Sequence, residues 1–205
     1  MSRSLIGLTG FGRRTAEFRR QERGGMLIEF AFALPVLVTL ILGTVNTAIF
    51  ILLHQRMDRA SSSIADLVSQ PDNITQADVD LAYDAAEHLF GDLFQLDANG
   101  HAIVTSVRGG TTDDPVPRIN FQVHKDCDGG SYNSEIGTGV EDSEASLPNG
   151  LTLQPGEAVI VAEVYYEYEP MFFGDIIEGG TQYHVSFRRP RLGAGVLAGG
   201  NACAP

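Results

Sequence analysis

The amino-acid sequence predicts an α+β protein, in which a long N-terminal membrane-spanning helix continues as a stalk and packs on a small antiparallel sheet domain with a second helix. Three observations support this prediction. No ionisable side chain occurs from Phe30 to Leu53. Apolar residues then recur at intervals of three and four as far as Val68, which is typical of a helix with one buried face. Four segments suited to β-strands follow in the rest of the chain.

The uncharged run is long enough to cross a bilayer. As a helix with a rise of about 1.5 Å per residue it would extend about 36 Å, against about 30 Å for the hydrocarbon core of a membrane. This length also argues against a secretory signal peptide, whose apolar region is much shorter. Pro35 removes one backbone donor inside the run and is expected to kink the helix.

The helix is predicted to run from Gly25 to Ser69 and to end before Pro71, because proline cannot continue it. The later residues expected to face the domain are Leu53, Met57, Ala60, Ile64, Leu67 and Val68. The prediction therefore divides the chain into a basic cytoplasmic leader (residues 1–24), a transmembrane and stalk helix (residues 25–70) and an extracytoplasmic α+β domain (residues 71–205).

The domain is predicted to begin with the second helix. The segment from Thr75 to Asp78 has the pattern of a capping box, and an apolar stripe follows to about Phe94. The residues of this stripe, all expected in the core, are Val79, Ala82, Ala86, Leu89, Phe90 and Leu93. The four predicted strands are Ala102–Val107, Arg118–His124, Ala158–Tyr168 and Gln182–Arg188.

Alternation along the predicted strands indicates which side chains share a face. In the second strand, Ile119, Phe121 and Val123 are expected to lie on one face. The third strand has a tyrosine-rich end, formed by Tyr165, Tyr166 and Tyr168. Alternate tyrosines must face the core, and the others either pack there as well or form a contact surface for a partner.

Charges are distributed asymmetrically along the chain. The formal net charge is −12, yet residues 1–25 contain six arginines and only two glutamates. By the positive-inside rule, this basic flank stays in the cytoplasm and the C-terminal domain crosses to the periplasm or exterior. An acidic domain with scattered basic residues offers no surface for counterion release, so we expect no binding to nucleic acid.

Residues 125–155 are predicted to make a long surface excursion, because they are rich in small polar residues and poor in large apolar ones. The acidic residues at positions 126–144 either form a solvated loop or gather round a calcium ion, although the ligand spacing of an EF-hand loop is missing. Cys127 and Cys203 either form one disulfide, as an oxidising compartment would allow, or remain separate thiols.

The sequence contains no constellation that indicates catalysis or a bound cofactor. The five histidines occur singly, without the spacing of a zinc site. No nucleophile elbow, P-loop or dinucleotide fingerprint is present. We therefore predict no catalytic residue, no metal and no cofactor. An anchored hydrolase is disfavoured, because only scattered polar residues support it.

Glu29 is an acidic residue at the head of the uncharged run, where a charge is costly. It either lies in the first helical turn, where the helix dipole and the headgroups stabilise it, or pairs with a cation created by removal of the leader. The segment RGGMLIEF, from Arg23 to Phe30, resembles the processing site of type IV prepilins, in which a peptidase cuts after a glycine that follows basic residues. The longer stretches ERGGMLIEFAFALPVLVTLILG and EVYYEYEPMFF resemble the TadE-like pseudopilin family of the Tad (Flp) pilus system.

This resemblance implies that Gly24 is the scissile residue, that Gly25 is the new N-terminus and that Glu29 pairs with the new amine during assembly. It also implies a pilin-like minor subunit in the bacterial inner membrane, with a single span, that acts in assembly of a Tad pilus for surface adherence. The expected partners are the inner membrane, the prepilin peptidase, other pilin-like subunits and Tad assembly proteins.

A second interpretation remains open at this point. The chain would keep its leader and act as an unprocessed single-pass anchor that presents a periplasmic binding or scaffold domain. Cleavage of the leader, and a final location in the membrane or in the fibre, are not decided by the residues alone.

Overall fold

The computed structural model describes residues 22–91, 93–125, 132–172, 174 and 179–192. These residues form an α+β fold, as the sequence predicts. The helices are α1 (Glu22–Val68), α2 (Gln76–Phe90) and the short α3 (Leu96–Asn99), with one 3-10 turn at Pro148–Gly150. The strands are β1 (Gly100–Arg108), β2 (Arg118–His124), β3 (Ala158–Tyr168) and β4 (Gly180–Arg188). The chain divides into two compact units, of which one ends at Thr47 and the other begins at Ala48.

Helix α1 is continuous through Pro35 and ends one residue before the predicted Ser69. We divide it at the unit boundary into an N-terminal segment (residues 25–47) and a C-terminal segment (residues 48–68). In the N-terminal segment, threonine hydroxyls donate to backbone carbonyls one turn earlier, as Thr39 does to Pro35 over 2.9 Å. This pattern satisfies hydroxyl groups inside an apolar helix without any partner from outside.

The described strands form a four-stranded antiparallel sheet in the order β2-β1-β3-β4. In the register of the sheet, Val104 of β1 lies between Val123 of β2 and Ala162 of β3. Strand β3 is central and is buried along nearly all of its eleven residues, because both faces of the sheet are covered.

One face of the sheet is covered by α2 and the C-terminal segment of α1. The stripe predicted from periodicity is largely confirmed, since Leu53, Met57, Ala60, Ile64 and Val68 have no exposed surface. These residues pack with α2 against side chains of β1, β2 and β3 in one continuous core. Burial of this stripe, at about 25 cal/mol per Å² of apolar surface, supplies much of the driving force for the fold.

The predicted core face of α2 is partly wrong. Val79, Ala82, Ala86 and Phe90 are buried, but Leu89 and Leu93 are 43% and 56% exposed. The helix ends at Phe90, where Gly91 has a φ of 66°, so the stripe does not continue to residue 93. Tyr83 is buried instead, and its hydroxyl donates to the carbonyl oxygen of Val123 over 3.0 Å.

The expectation that Ile119, Phe121 and Val123 share a face is also wrong. Phe121 and Val123 lie in the core beneath the helices, whereas Ile119 lies in a second core on the opposite face. The pairing of β1 with β2 shifts by one residue between Ser106 and Val107, which is a β-bulge. An extra residue in one strand reverses the faces of the residues beyond it.

This second core corrects the prediction for residues 125–155. Ile136, Ala145 and Leu153 are buried there against β-strand residues, so the described part of the segment covers the sheet rather than forming a surface excursion. Backbone hydrogen bonds hold it in place, among them those from Ile119 to Ser143 and from Ala145 to Pro117, each 2.9 Å long. These three apolar residues are far apart in the sequence, yet their burial packs the segment against the sheet.

Candidate functional site

The processing segment, which we define as Gly24, Gly25 and Glu29, lies in the first turns of α1. Gly25 is exposed, and a Cβ atom placed on it would meet no atom of the described chain within 4 Å. A glycine inside a helix costs about 1 kcal/mol relative to alanine, so two adjacent glycines weaken this end of the helix. The fold itself therefore gives no reason for glycine at position 25.

Glu29 lies one helical turn after Gly25, and residues at this spacing share a helix face. Its side chain is exposed, and none of the ion pairs among the described residues involves it. The carboxylate of Glu29 therefore stabilises the described fold through no ion pair. It is available to a cation that the described residues do not supply.

Large apolar side chains surround Glu29 on every side of the helix. The exposed ones are Met26, Leu27, Ile28, Phe30, Phe32, Leu34, Val36, Leu37, Val38, Leu40 and Ile41. Within the described chain, α1 is the one helix that is long and apolar enough to cross a membrane, from Gly25 onward. An exposed surface that is apolar all round suits lipid or the helices of other subunits rather than water.

Residues 24–66 match the family model for TadE-like protein. This match confirms the resemblance predicted from the sequence, over about a fifth of the chain. The apolar helix followed by the domain fits a single-pass membrane protein. Searches of the curated proteins and of the solved structures give no match.

The TadE-like segment, residues 24–66, contains the whole processing segment and most of the stripe that packs on the sheet. The match begins at Gly24, the residue at which processing is predicted. The distal stretch from Glu163 to Phe173 lies outside it. The tyrosines of that stretch do not form an exposed contact surface, because Tyr165, Tyr166 and Tyr168 are each only 6% exposed.

A buried carboxylate cluster in the domain was not singled out from the sequence. Glu163 of β3 has no exposed surface. Its Oε1 atom accepts hydrogen bonds from the Glu135 backbone N–H (3.0 Å), the Tyr183 hydroxyl (3.0 Å) and the Tyr165 hydroxyl (3.2 Å). Its Oε2 atom accepts one from the Ser134 hydroxyl. We call these five residues the Glu163 cluster.

The ionisation of the Glu163 cluster follows from its burial. Burial raises the pKa of the Glu163 carboxyl, and its four hydrogen bonds oppose this shift by stabilising the carboxylate. Burial, followed by the charge of Glu163, also raises the pKa of both the Tyr165 and Tyr183 hydroxyls. Both tyrosines therefore stay protonated donors at neutral pH. The cluster joins residues 134–135 to β3 and β4.

Two pairs of histidines come together that the sequence presents singly. The register of β1 and β2 places His101 Nε2 3.3 Å from His124 Nδ1, and burial lowers the pKa of His124. The rings of His54 and His184 have centroids 5.4 Å apart. Within the described residues, no group of three or more His, Cys, Asp or Glu side chains is placed to hold a metal ion.

The remaining predicted sites lie mostly outside the described residues. Both Cys127 and Cys203 do, as do residues 1–21 of the leader and residues 126–131 of the acidic loop. In the described part of that loop, Asp142 forms an ion pair with Arg108. The structure therefore tests neither the possible disulfide nor the choice between a solvated loop and a calcium-bound one.

Proposed function

We propose that this chain is a pilin-like, TadE-like minor subunit that acts in assembly of a Tad (Flp) pilus for surface adherence. The observation that carries the proposal is the family match over residues 24–66, which begins at the glycine where processing is expected. In this proposal the peptidase cuts between Gly24 and Gly25. The glycine that the peptidase requires is then Gly24, the residue before the cut.

The orientation in the membrane follows from the charges. The basic leader, residues 1–24, stays in the cytoplasm, and the domain of residues 71–205 lies in the periplasm. The helix between them spans the inner membrane before the subunit is recruited. This topology places the processing segment at the cytoplasmic face of the bilayer, where the leader can be removed.

Removal of the leader creates a cation at the apolar end of the chain. The new α-amino group on Gly25 is able to pair with Glu29 of a neighbouring subunit inside a bundle of helices. A carboxylate buried without a partner is strongly unfavourable, so the pair selects one axial register between subunits. The exposed apolar side chains of the N-terminal segment of α1 supply the rest of that contact.

The domain explains why a minor subunit is proposed rather than the shaft subunit. Residues 48–205 form a compact unit with two buried cores, which is a large body to repeat along a thin fibre. Such a unit suits a protein that primes or caps the fibre and contacts other pilin-like subunits and Tad assembly proteins. An unprocessed anchor that presents the same domain is the competing proposal.

Substitution at the cleavage site separates the two proposals. In peptidase-positive cells, Gly24→Leu is expected to leave the leader on the chain and to abolish pilus assembly. Gly43→Ala is the matched control, because a Cβ atom at Gly43 also meets no neighbouring atom in the described chain. Immunoblots of chain length and the yield of surface pili are the two measurements. Normal pili from the Gly24→Leu strain would favour the unprocessed anchor.

A further inference from the structure

The sheet has a defined orientation along the C-terminal segment of α1. Strand β4 runs beside the helix in the same direction, as a series of side-chain contacts shows. In order along the helix, Phe50 contacts Tyr168, His54 contacts His184, Ser61 contacts Ser186 and Asp66 contacts Arg191. The end of the sheet where β3 finishes and β4 starts is therefore level with Phe50. At the other end, Arg188 closes β4 and contacts Ser62, and Arg191 beyond the sheet contacts Asp66, about 24 Å further along the helix than Phe50.

The end level with Phe50 carries exposed apolar side chains. A cleft there is lined by Ile49 of α1, Leu93, Phe94, Tyr168 and Met171. Leu93 is 56% exposed and Met171 is 60% exposed. We call Leu93, Phe94, Tyr168 and Met171 the basal edge of the domain. Phe94 and Tyr168 are buried, and water is an unfavourable neighbour for the exposed side chains of Leu93 and Met171.

The position of the basal edge along α1 indicates which environment it contacts. Ile49 and Phe50 belong to the uncharged run that ends at Leu53, and His54 is the first ionisable residue after it. The basal edge is thus level with the last turn of the run that is expected to lie in lipid. We propose that the basal edge rests on the phospholipid bilayer, with Leu93 and Met171 inserted at the boundary of headgroups and acyl chains. This inference rests on the proposed membrane span.

The polar groups at the basal edge match a headgroup layer. The guanidinium of Arg56 lies 5.5 Å from the centre of the Phe94 ring, so one cation is held at the height of the lipid phosphates. Glu167 and Glu169 line the same cleft and are exposed, where they can meet the ammonium groups of zwitterionic lipids. Aromatic and long basic side chains are typical of the interface between membrane and water.

The opposite end of the sheet has a different character. Ion pairs link Arg108 to Asp142 and Arg118 to Asp114 there. Val140 is exposed at this end to nearly the same extent as Leu93, at 55%. With a rise of about 3.3 Å per residue, the length of β3 places this end about 30 Å from the basal edge. Val140 therefore provides a control position with the same exposure and no access to the bilayer.

Tryptophan fluorescence can test the inference in the full chain, which contains no native tryptophan. The variants are Leu93→Trp and Met171→Trp at the basal edge, Val140→Trp as the control and Leu40→Trp within the span. Each is reconstituted in phosphatidylcholine vesicles whose acyl chains are brominated either near the headgroup or near the methyl end. Insertion to a depth of about 5–10 Å predicts that both basal variants lose most of their emission with the first lipid and less with the second.

The two control variants are expected to give results that differ from those of the basal variants. Val140→Trp is expected to keep its emission with both lipids, and Leu40→Trp to be quenched more by the lipid brominated near the methyl end. If Leu93→Trp and Met171→Trp behave like Val140→Trp while Leu40→Trp is quenched, the basal-edge inference is overturned and the span stands. If Leu40→Trp is not quenched by either lipid, the membrane span fails and the inference fails with it.

Discussion

The two segments of α1 are both rich in apolar residues, yet they differ in how those residues are distributed. In the N-terminal segment, large apolar side chains are exposed on all sides, and Ile41 is 50% exposed. In the C-terminal segment, they form one stripe against the sheet, and Ile64 has no exposed surface. One helix therefore has two apolar surfaces. The second packs on the chain's own domain, and the first is proposed to contact lipid or other subunits. Substitutions in the two segments should have separable effects.

The largest expected effect is that of a substitution at Glu29, in the N-terminal segment of α1. Glu29→Ala removes one member of the proposed buried pair, a loss that costs about 3–5 kcal/mol. Since each ~1.4 kcal/mol is about tenfold in an equilibrium constant, pilus yield should fall about a hundredfold or more. The melting temperature of the domain should not change. Quantification of sheared pili tests this, with Glu141→Ala as the control at an exposed carboxylate.

The second prediction concerns stability and compares one isoleucine from each segment of α1. Ile64→Ala should lower the free energy of unfolding by about 2–5 kcal/mol, because it leaves a cavity in the core beneath the sheet. The matched change Ile41→Ala removes the same atoms from an exposed position and should leave domain stability unchanged. Denaturant unfolding of the full chain in detergent, followed by tyrosine circular dichroism, measures both. Equal losses from the two variants would contradict the division of α1.

The third prediction is a pH dependence within the domain. Because burial raises the pKa of Glu163 in the folded state, its contribution to stability is fully present below the unfolded pKa of about 4.3. That contribution is lost as the pH rises through the folded pKa. The Glu163→Gln variant should therefore gain less stability than the wild type as the pH falls from neutral towards this value. Thermal unfolding across this range, with Glu167→Gln as the control, provides the test. Identical pH profiles for wild type and Glu163→Gln would contradict it.

The smallest effect is expected at the start of α2. The Thr75 hydroxyl accepts from the Asp78 backbone N–H over 3.3 Å, and the Asp78 carboxylate accepts from the Thr75 backbone N–H over 2.9 Å. Thr75→Ala should lower the free energy of unfolding by about 1 kcal/mol, because one orphan donor of the helix loses its partner. Asp72→Ala, an exposed change outside the cap, is the control for the same unfolding measurement.

Local signals in the sequence were sufficient for much of the fold. The end of α1 near Pro71, the capping box at Thr75 and the bounds of β2 and β3 all depend on neighbouring residues, and the structure confirms them. The buried stripe of the C-terminal segment of α1 was also predicted, because its spacing of three and four is a strong helical signal.

The errors have non-local causes. Alternation assigned Ile119 to the wrong face, because a bulge depends on how β2 pairs with β1 and not on β2 alone. The Glu163 cluster draws its donors from positions 134, 135, 165 and 183, which are brought together only by the sheet and the packed segment over it. The available signal was Glu163, an acid flanked by apolar residues in β3, and it does not indicate which residues donate to it.

The central claim is that proteolysis creates the cation that Glu29 meets. Intact-mass spectrometry of the protein extracted from membranes of peptidase-positive cells tests this most directly, with a peptidase-deficient strain as the control. A mature chain that begins at Gly25 in the first strain and retains residues 1–24 in the second is the predicted result. A chain that still begins at or near Met1 in both strains would contradict the claim.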